Sequence, residues 1–220
     1  MMNLLTTLSA ATFLAGLPLS PFALQAPTPA PAPQVAAPAI TPLTDAERTK
    51  LLADVSVAMA NVKTARGIFE QVSPDGSLST GKFALARPGK VRFEYDDPVP
   101  LLIVADGTTV AMKDTELETV DRIPLSATPL ALLLDDKLDF DSEADVLDIV
   151  RNDTQLGITI ADPNGEVDGE LQLIFSADDL ELDSWVATDS GGNRTNVKLR
   201  DVQTGKRLNP RLFINSNFEE

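Results

Sequence analysis

Carboxylates dominate the groups in this chain that could act as acid, base or ligand, because it contains no cysteine and no histidine. Their absence excludes a thiol nucleophile, a serine–histidine–aspartate triad, a histidine base and nearly every zinc site, and leaves any catalysis to carboxylates, lysine or tyrosine. Asp162, Asn164, Glu166, Asp168 and Glu170 alternate as oxygen ligands do in a calcium loop. The sixth position of that frame is Val167 rather than glycine and the twelfth is Leu173 rather than glutamate, so the stretch reads as a hairpin with a solvated acidic tip. The pairs Asp96-Asp97, Asp135-Asp136 and Asp178-Asp179 could supply an acid and a base. Each sits in a turn beside proline or in an acidic run, where solvated loop carboxylates are the expectation, and none is a clustered pair on a rigid strand as hydrolysis would need. Arg87 offers a different chemistry. In Arg87-Pro88-Gly89-Lys90 the proline fixes its own φ and pushes Arg87 towards extended geometry, while Gly89 accepts whatever φ remains. The turn places a planar fork of five donors, suited to holding several carbonyls, at the mouth of an apolar face.

The elements around that turn follow from spacing. Phe83 and Leu85 share one face before it, and Val91, Phe93 and Tyr95 share one after it, the period-two pattern of an antiparallel pair. Turn signals at 73–77, 97–100, 106–108 and 113–114 extend this into about six strands between residues 65 and 122. Before them, Thr44-Asp45-Ala46-Glu47 is a capping box, and Leu51, Leu52, Val55, Met59 and Val62 recur at helical spacing up to about Thr64. After them, Thr128 as N-cap, Pro129 in the first turn and Leu130, Leu133 and Leu134 along one side predict a short apolar helix. An acidic connection over 135–145 leads to strand patterns at 148–151, 157–161, 170–175, 182–188 and 195–202. The fold class is therefore mainly β with two or three helices. Eleven or so strands could close into a barrel filled by its own side chains. They could equally form a curved, unclosed sheet whose concavity the helices cover, leaving apolar space for a ligand.

A length of 220 residues suits one domain with tails. A formal charge of −15 repels phosphate backbones and anionic head groups, which argues against nucleic acid as a partner. No charged residue precedes Asp45, and the apolar run over 4–19 has the length of a secretory signal core, short of the roughly 20 residues of a spanning helix. Residues 1–26 are read as a signal peptide ending at Leu24-Gln25-Ala26, the alternative being an uncleaved membrane anchor. Residues 27–42, alternating proline with alanine, threonine and glutamine, are read as a semi-extended tether. The folded domain is then 43–220. With no cysteine after the apolar run, the chain cannot itself be lipid-modified.

Taken together, Phe69-x-Gln71, Gly81-x-Phe83-x-Leu85-x-Arg87-Pro88-Gly89, Phe93-x-Tyr95-x-x-Pro98 and Ile103-Val104-x-Asp106-Gly107 resemble, in order and spacing, the periplasmic outer-membrane lipoprotein carrier family, LolA. The resemblance implies a curved antiparallel half-barrel under a helical lid, holding lipoprotein acyl chains inside. It implies a lipid-binding cavity of Val55, Met59, Phe69, Phe83, Val91, Phe93 and Ile103, with Leu130 and Leu133 in the lid. Arg87 would latch the closed lid through carbonyl groups. Phe93 stands where the family often has tryptophan, and Leu130-Ala131-Leu132-Leu133 lacks the aromatic or methionine of some lids. The family further implies a periplasmic monomer with triacylated lipoprotein as cargo. Its partners would be an ATP-driven exporter in the inner membrane and an acceptor at the outer membrane, with no cofactor and no enzymatic activity. The alternative is an envelope-stress regulator or lipid sensor on the same scaffold. Such regulators usually add a second domain, and here the chain is expected to end with the half-barrel.

Overall fold

The computed structural model describes residues 43–219, apart from 129, 137, 139, 141–143, 164, 166 and 167. The expected signal segment and tether lie outside the described residues. Helix α1 (Asp45–Asn61) opens on the predicted capping box, with the Glu47 amide donating to Thr44 Oγ1 at 3.4 Å and the Thr44 amide to Glu47 Oε2 at 2.9 Å. The hydroxyl of Thr44 first, and its amide second, hold the Glu47 carboxyl below its usual range. Leu51, Leu52, Val55 and Met59 form the buried stripe. The helix stops at Asn61, short of the expected Thr64, because Thr64 already pairs with Ala86 as the first residue of a strand.

Eleven strands follow: β1 (Thr64–Val72), β2 (Leu78–Ala86), β3 (Lys90–Tyr95), β4 (Leu101–Asp106), β5 (Thr109–Asp114), β6 (Thr119–Pro124), β7 (Asp145–Arg151), β8 (Gln155–Ala161), β9 (Glu170–Ser176), β10 (Leu182–Thr188) and β11 (Arg194–Thr204). They make one antiparallel sheet in the order β6-β5-β4-β3-β2-β1-β11-β10-β9-β8-β7. Two hairpin meanders are thus joined at the centre by β1 and β11. Strands β6 and β7 remain as free edges, so the sheet is not closed into a barrel. The chain passes from one edge to the other through a single 3-10 turn at Leu125–Ala127, helix α2 (Leu130–Leu134) and the acidic connection.

Register puts Phe69, Phe83, Val91 and Phe93 on the same face as Leu173, Phe175, Trp185 and Val197 from the other meander, and all belong to one core with α1. A single core drawn from both halves means that the sheet wraps around it. Glycine makes room for the rings. A Cβ built on Gly81 would meet the Glu94 carbonyl oxygen and, at 2.6 Å, Phe69 Cε1, and one on Gly67 would meet the Arg200 carbonyl oxygen at 2.6 Å and Phe83 Cε1 at 2.8 Å. Gly81→Ala is expected to destabilise by about 1–3 kcal/mol through overpacking against the Glu94 carbonyl and the Phe69 ring, seen as a lower denaturant midpoint with an unchanged slope.

Two apolar residues emerge where the sequence reads only as acidic loop. Leu138, 2% exposed, and Phe140 turn inward to join the core. At the other end of the chain, Asn209–Ile214 wraps onto the outer face of β3 and β4, burying Phe213. Asn215 Nδ2 donates to the Thr109 carbonyl at 3.2 Å, and Arg122 donates to the Asn215 carbonyl at 2.9 Å. This cover explains why Val104 and Ala111, which point outward, are fully buried.

Candidate functional site

The lid is tied down from the turn between β2 and β3. Arg87 Nη1 donates to the carbonyls of Val62 at 2.7 Å and Met59 at 3.2 Å, and Nη2 donates to the Leu133 carbonyl at 2.8 Å. One guanidinium therefore caps the C-terminal ends of α1 and α2 together. Those ends carry partial negative charge, and α1 has no basic residue of its own in its last turn. Backbone contacts reinforce the junction: the Arg87 amide donates to Lys63 and the Gly89 amide to the Leu134 carbonyl, both at 2.9 Å. Burial lowers the Arg87 pKa, opposed by the nearby Asp136 and Asp135 carboxylates. Its Nε is buried without a hydrogen-bond partner. Further along, Ser56 Oγ donates to the Leu138 carbonyl at 2.6 Å and Lys63 pairs with Asp136 at 3.1 Å, strapping the acidic connection to α1.

The Thr128 hydroxyl donates backwards to the Leu125 carbonyl at 2.8 Å, closing the 3-10 turn that precedes α2, while its carbonyl accepts from the Ala131 amide. Leu133 and Leu134 are buried. The Leu130 backbone lies in α2, but its side chain, like Pro129, is outside the described residues.

Beneath the latch is a cavity of about 420 Å³ with mostly apolar walls. Of the residues that the family resemblance assigns to a lipid site, Met59, Phe83, Val91, Phe93 and Leu133 line it, together with Arg87. Val55, Phe69 and Ile103 do not. Val55 is completely buried in the α1 stripe, and Ile103 lies opposite Phe93 on β4, partly buried against the core. Phe69 stands behind the wall, edge-on to Phe93 with centroids 5.2 Å apart and to Tyr95 at 4.9 Å. Tyr95 in turn donates its hydroxyl to Gln71 Oε1 at 2.8 Å, and burial raises its pKa against that hydrogen bond.

The opposite wall comes from the C-terminal meander, which sequence reasoning did not assign to the site. Leu180, Leu182, Trp185, Leu199 and Val202 all line the cavity. Trp185, the chain's one tryptophan, has its ring centroid 6.2 Å from that of Phe93, so the two face each other across the meanders. Period-two alternation in β10 and β11 marks the inward residues. What it does not mark is that β11 returns to pair with β1.

The remaining candidates for chemistry resolve into structural turns. Asp96 accepts from Thr80 Oγ1 at 2.9 Å, Asp136 pairs with Lys63, and Asp179 accepts from the Glu181 amide at 3.1 Å. The Asp179 carboxyl is held below its usual range by hydrogen bonds from the Ser176 side chain and the Glu181 backbone. In the stretch that mimics a calcium loop, Asn164, Glu166 and Val167 lie outside the described residues, and among the described residues no three or more carboxylates converge as a metal site. Three surface cations on β3 and β11 are paired with carboxylates. Arg92 pairs with Glu94 at 2.9 Å, Arg200 with Glu70 at 2.7 Å and Lys198 with Asp183 at 3.7 Å. No helix among the described residues is long and apolar enough to cross a membrane.

An open antiparallel half-barrel with an apolar cavity under a hydrogen-bonded lid defines a binding scaffold. A family model described as outer membrane lipoprotein carrier protein LolA matches residues 60–216, and the chain belongs to this family. An outer-membrane lipoprotein carrier protein of Methylibium petroleiphilum is 42% identical over 98 residues, 40% of this chain and 48% of its own, so the chain spans about half the length of that relative. The protein of the same name from Methylococcus capsulatus is 29% identical over 162 residues, covering 70% of this chain and 77% of its own. Among solved structures, a lipoprotein-sorting protein domain from Vibrio parahaemolyticus shares the fold with a TM-score of 0.51 at 9% identity, over 77% of this chain and 98% of that one.

Proposed function

We propose that the protein is a periplasmic carrier that takes up the acyl chains of a lipoprotein released from the inner membrane and delivers them to an acceptor at the outer membrane. The observation that carries this reading is the cavity of about 420 Å³, walled by Met59, Phe83, Val91, Phe93, Leu133 and Trp185 and covered by a lid held by hydrogen bonds from Arg87 and Gly89 and by the packing of Leu133 and Leu134. Burying a methylene is worth roughly 0.8 kcal/mol, so a sixteen-carbon chain exposed to water costs on the order of 10 kcal/mol and does not cross an aqueous gap unaided. A carrier must offset that cost only in part, or release would be too slow. A lid that surrenders its own packing and the Arg87 hydrogen bonds on loading lowers the net affinity in this way.

In this reading residues 1–26 direct export, 27–42 form a tether and the domain from residue 43 acts as a monomer. Its cargo is a triacylated lipoprotein, its loading partner an ATP-driven exporter in the inner membrane, and it performs no catalysis and uses no cofactor. The family membership and the Leu133 lid position support these roles. The test is to incubate the purified protein with membranes holding a labelled lipoprotein and an energised exporter. A soluble one-to-one complex is expected, and label that stays with the membrane at all carrier concentrations refutes the assignment.

A further inference from the structure

With its lid shut the cavity measures about 420 Å³, inside the roughly 300–1,000 Å³ range of pockets that hold one small ligand, and so suits a single acyl chain. The entrance can also be located. Leu133 and Leu134 on the lid side are buried, whereas the exposed members of the lining are Asn61, Asp179, Glu181, Val202 and Thr204. The opening therefore lies between the end of α1, the β9–β10 turn and the last residues of β11, and none of these exposed lining residues belongs to α2.

The chemistry of that mouth is one-sided. Among the described residues, Asp179 and Glu181 are the only charged side chains of the lining besides Arg87, whose guanidinium is committed to the Met59, Val62 and Leu133 carbonyls. The turn that carries the two carboxylates is rigidly made. Leu180 is held at φ 57° between them, its amide donates to the Ser176 carbonyl at 3.1 Å, and the Ser176 amide donates to that of Glu181 at 2.9 Å. An anionic head group placed there would meet like charge beside an apolar wall, where screening is weaker than in bulk water.

We propose that the protein with its lid closed binds a single-chain amphiphile with an uncharged or cationic head, the chain in the cavity and the head beside Asp179 and Glu181. This rests on the acyl-binding reading above and adds to it an entry that needs no lid movement. It also gives the carrier a basis for refusing single-chain lipids whose heads are net anionic.

The chain contains no cysteine, so Lys63→Cys with Asp136→Cys, joined by a short bis-methanethiosulfonate, locks the connection to α1 at one defined place. Emission from Trp185, the one tryptophan and part of the cavity wall, reports occupancy. The probes are monomyristoylglycerol, the lysophosphatidylglycerol of the same chain length and a tripalmitoylated cysteinyl peptide. The locked protein is expected to bind monomyristoylglycerol within about threefold of the unlinked double variant and lysophosphatidylglycerol at least about tenfold more weakly. Asp179→Asn with Glu181→Gln narrows that gap to about threefold, and the triacyl peptide binds only the unlinked form. Loss of monomyristoylglycerol binding on locking, with the unlinked form still binding, overturns the lid-closed site and leaves the carrier reading standing. Equal binding of both heads to the parent overturns the charge selection. No response to any of the three probes in either form overturns the carrier reading itself, and this inference with it.

Discussion

Arg87→Leu is expected to hold lipoprotein cargo roughly 30- to 150-fold more tightly than the parent and to release it correspondingly more slowly. In the closed protein one charged group donates to the Met59, Val62 and Leu133 carbonyls, and the Leu133 bond is the one that ties the lid to the end of α1. Hydrogen bonds to a charged group contribute about 1.5–3 kcal/mol each, part of which solvent restores when the lid is displaced. A net penalty of about 2–3 kcal/mol on the closed state passes directly into the loading equilibrium, because cargo no longer competes against it. Arg87→Lys keeps the charge but loses the planar fork, and falls between the two. Transfer of labelled lipoprotein to an acceptor gives the rate, and hydrogen exchange at the Gly89 amide, which donates to Leu134, gives the lid's opening. Parent-like rates in Arg87→Leu would sink the latch.

Phe69→Ala is expected to cost about 3–5 kcal/mol of folding stability, with Phe93→Ala costing about half as much. Phe69 is 1% exposed and enclosed on all sides, its ring edge-on to both Phe93 and Tyr95. Phe93 is almost as well shielded from water, but one side of its ring faces the cavity and so forgoes the dispersion contacts that a filled core supplies. Truncating it enlarges a space that exists already, whereas truncating Phe69 creates one. The effect on cargo runs the other way: Phe93→Ala changes acyl binding directly and Phe69→Ala only through the wall it supports. Urea unfolding followed by circular dichroism measures the first pair of values. Equal stability losses for the two variants would mean that Phe93 is ordinary core.

These two phenylalanines also mark what could be read before any coordinates. Both alternate correctly in their strands, so period-two spacing placed them on the apolar face, and the strand count, the hairpin turns and the capping box followed from equally local signals. Spacing cannot distinguish a residue on a cavity wall from one behind it, since the difference lies in which neighbours fill the space. The same limit hid Trp185, Leu180 and Leu199, which reach the site only because β11 pairs with β1 across more than a hundred residues of chain. Leu138 and Phe140 were masked differently: two apolar residues spaced by one among aspartates carry too little periodicity to outweigh the surrounding charge. Arg87 was legible as a donor in search of carbonyls. That two of its three acceptors belong to α1 rather than to the lid was not, because helix ends expose carbonyls irrespective of side-chain sequence.

The chain's passage from β6 to β7 has a mechanical meaning beyond covering the interior. The two meanders meet in the β1–β11 ladder, and the chain links their far margins through the Leu125–Ala127 turn, α2 and the acidic stretch. The lid is therefore also the drawstring of the sheet. Loosening it lets the margins spread, so the capacity of the interior and the position of its cover vary as one coordinate rather than two.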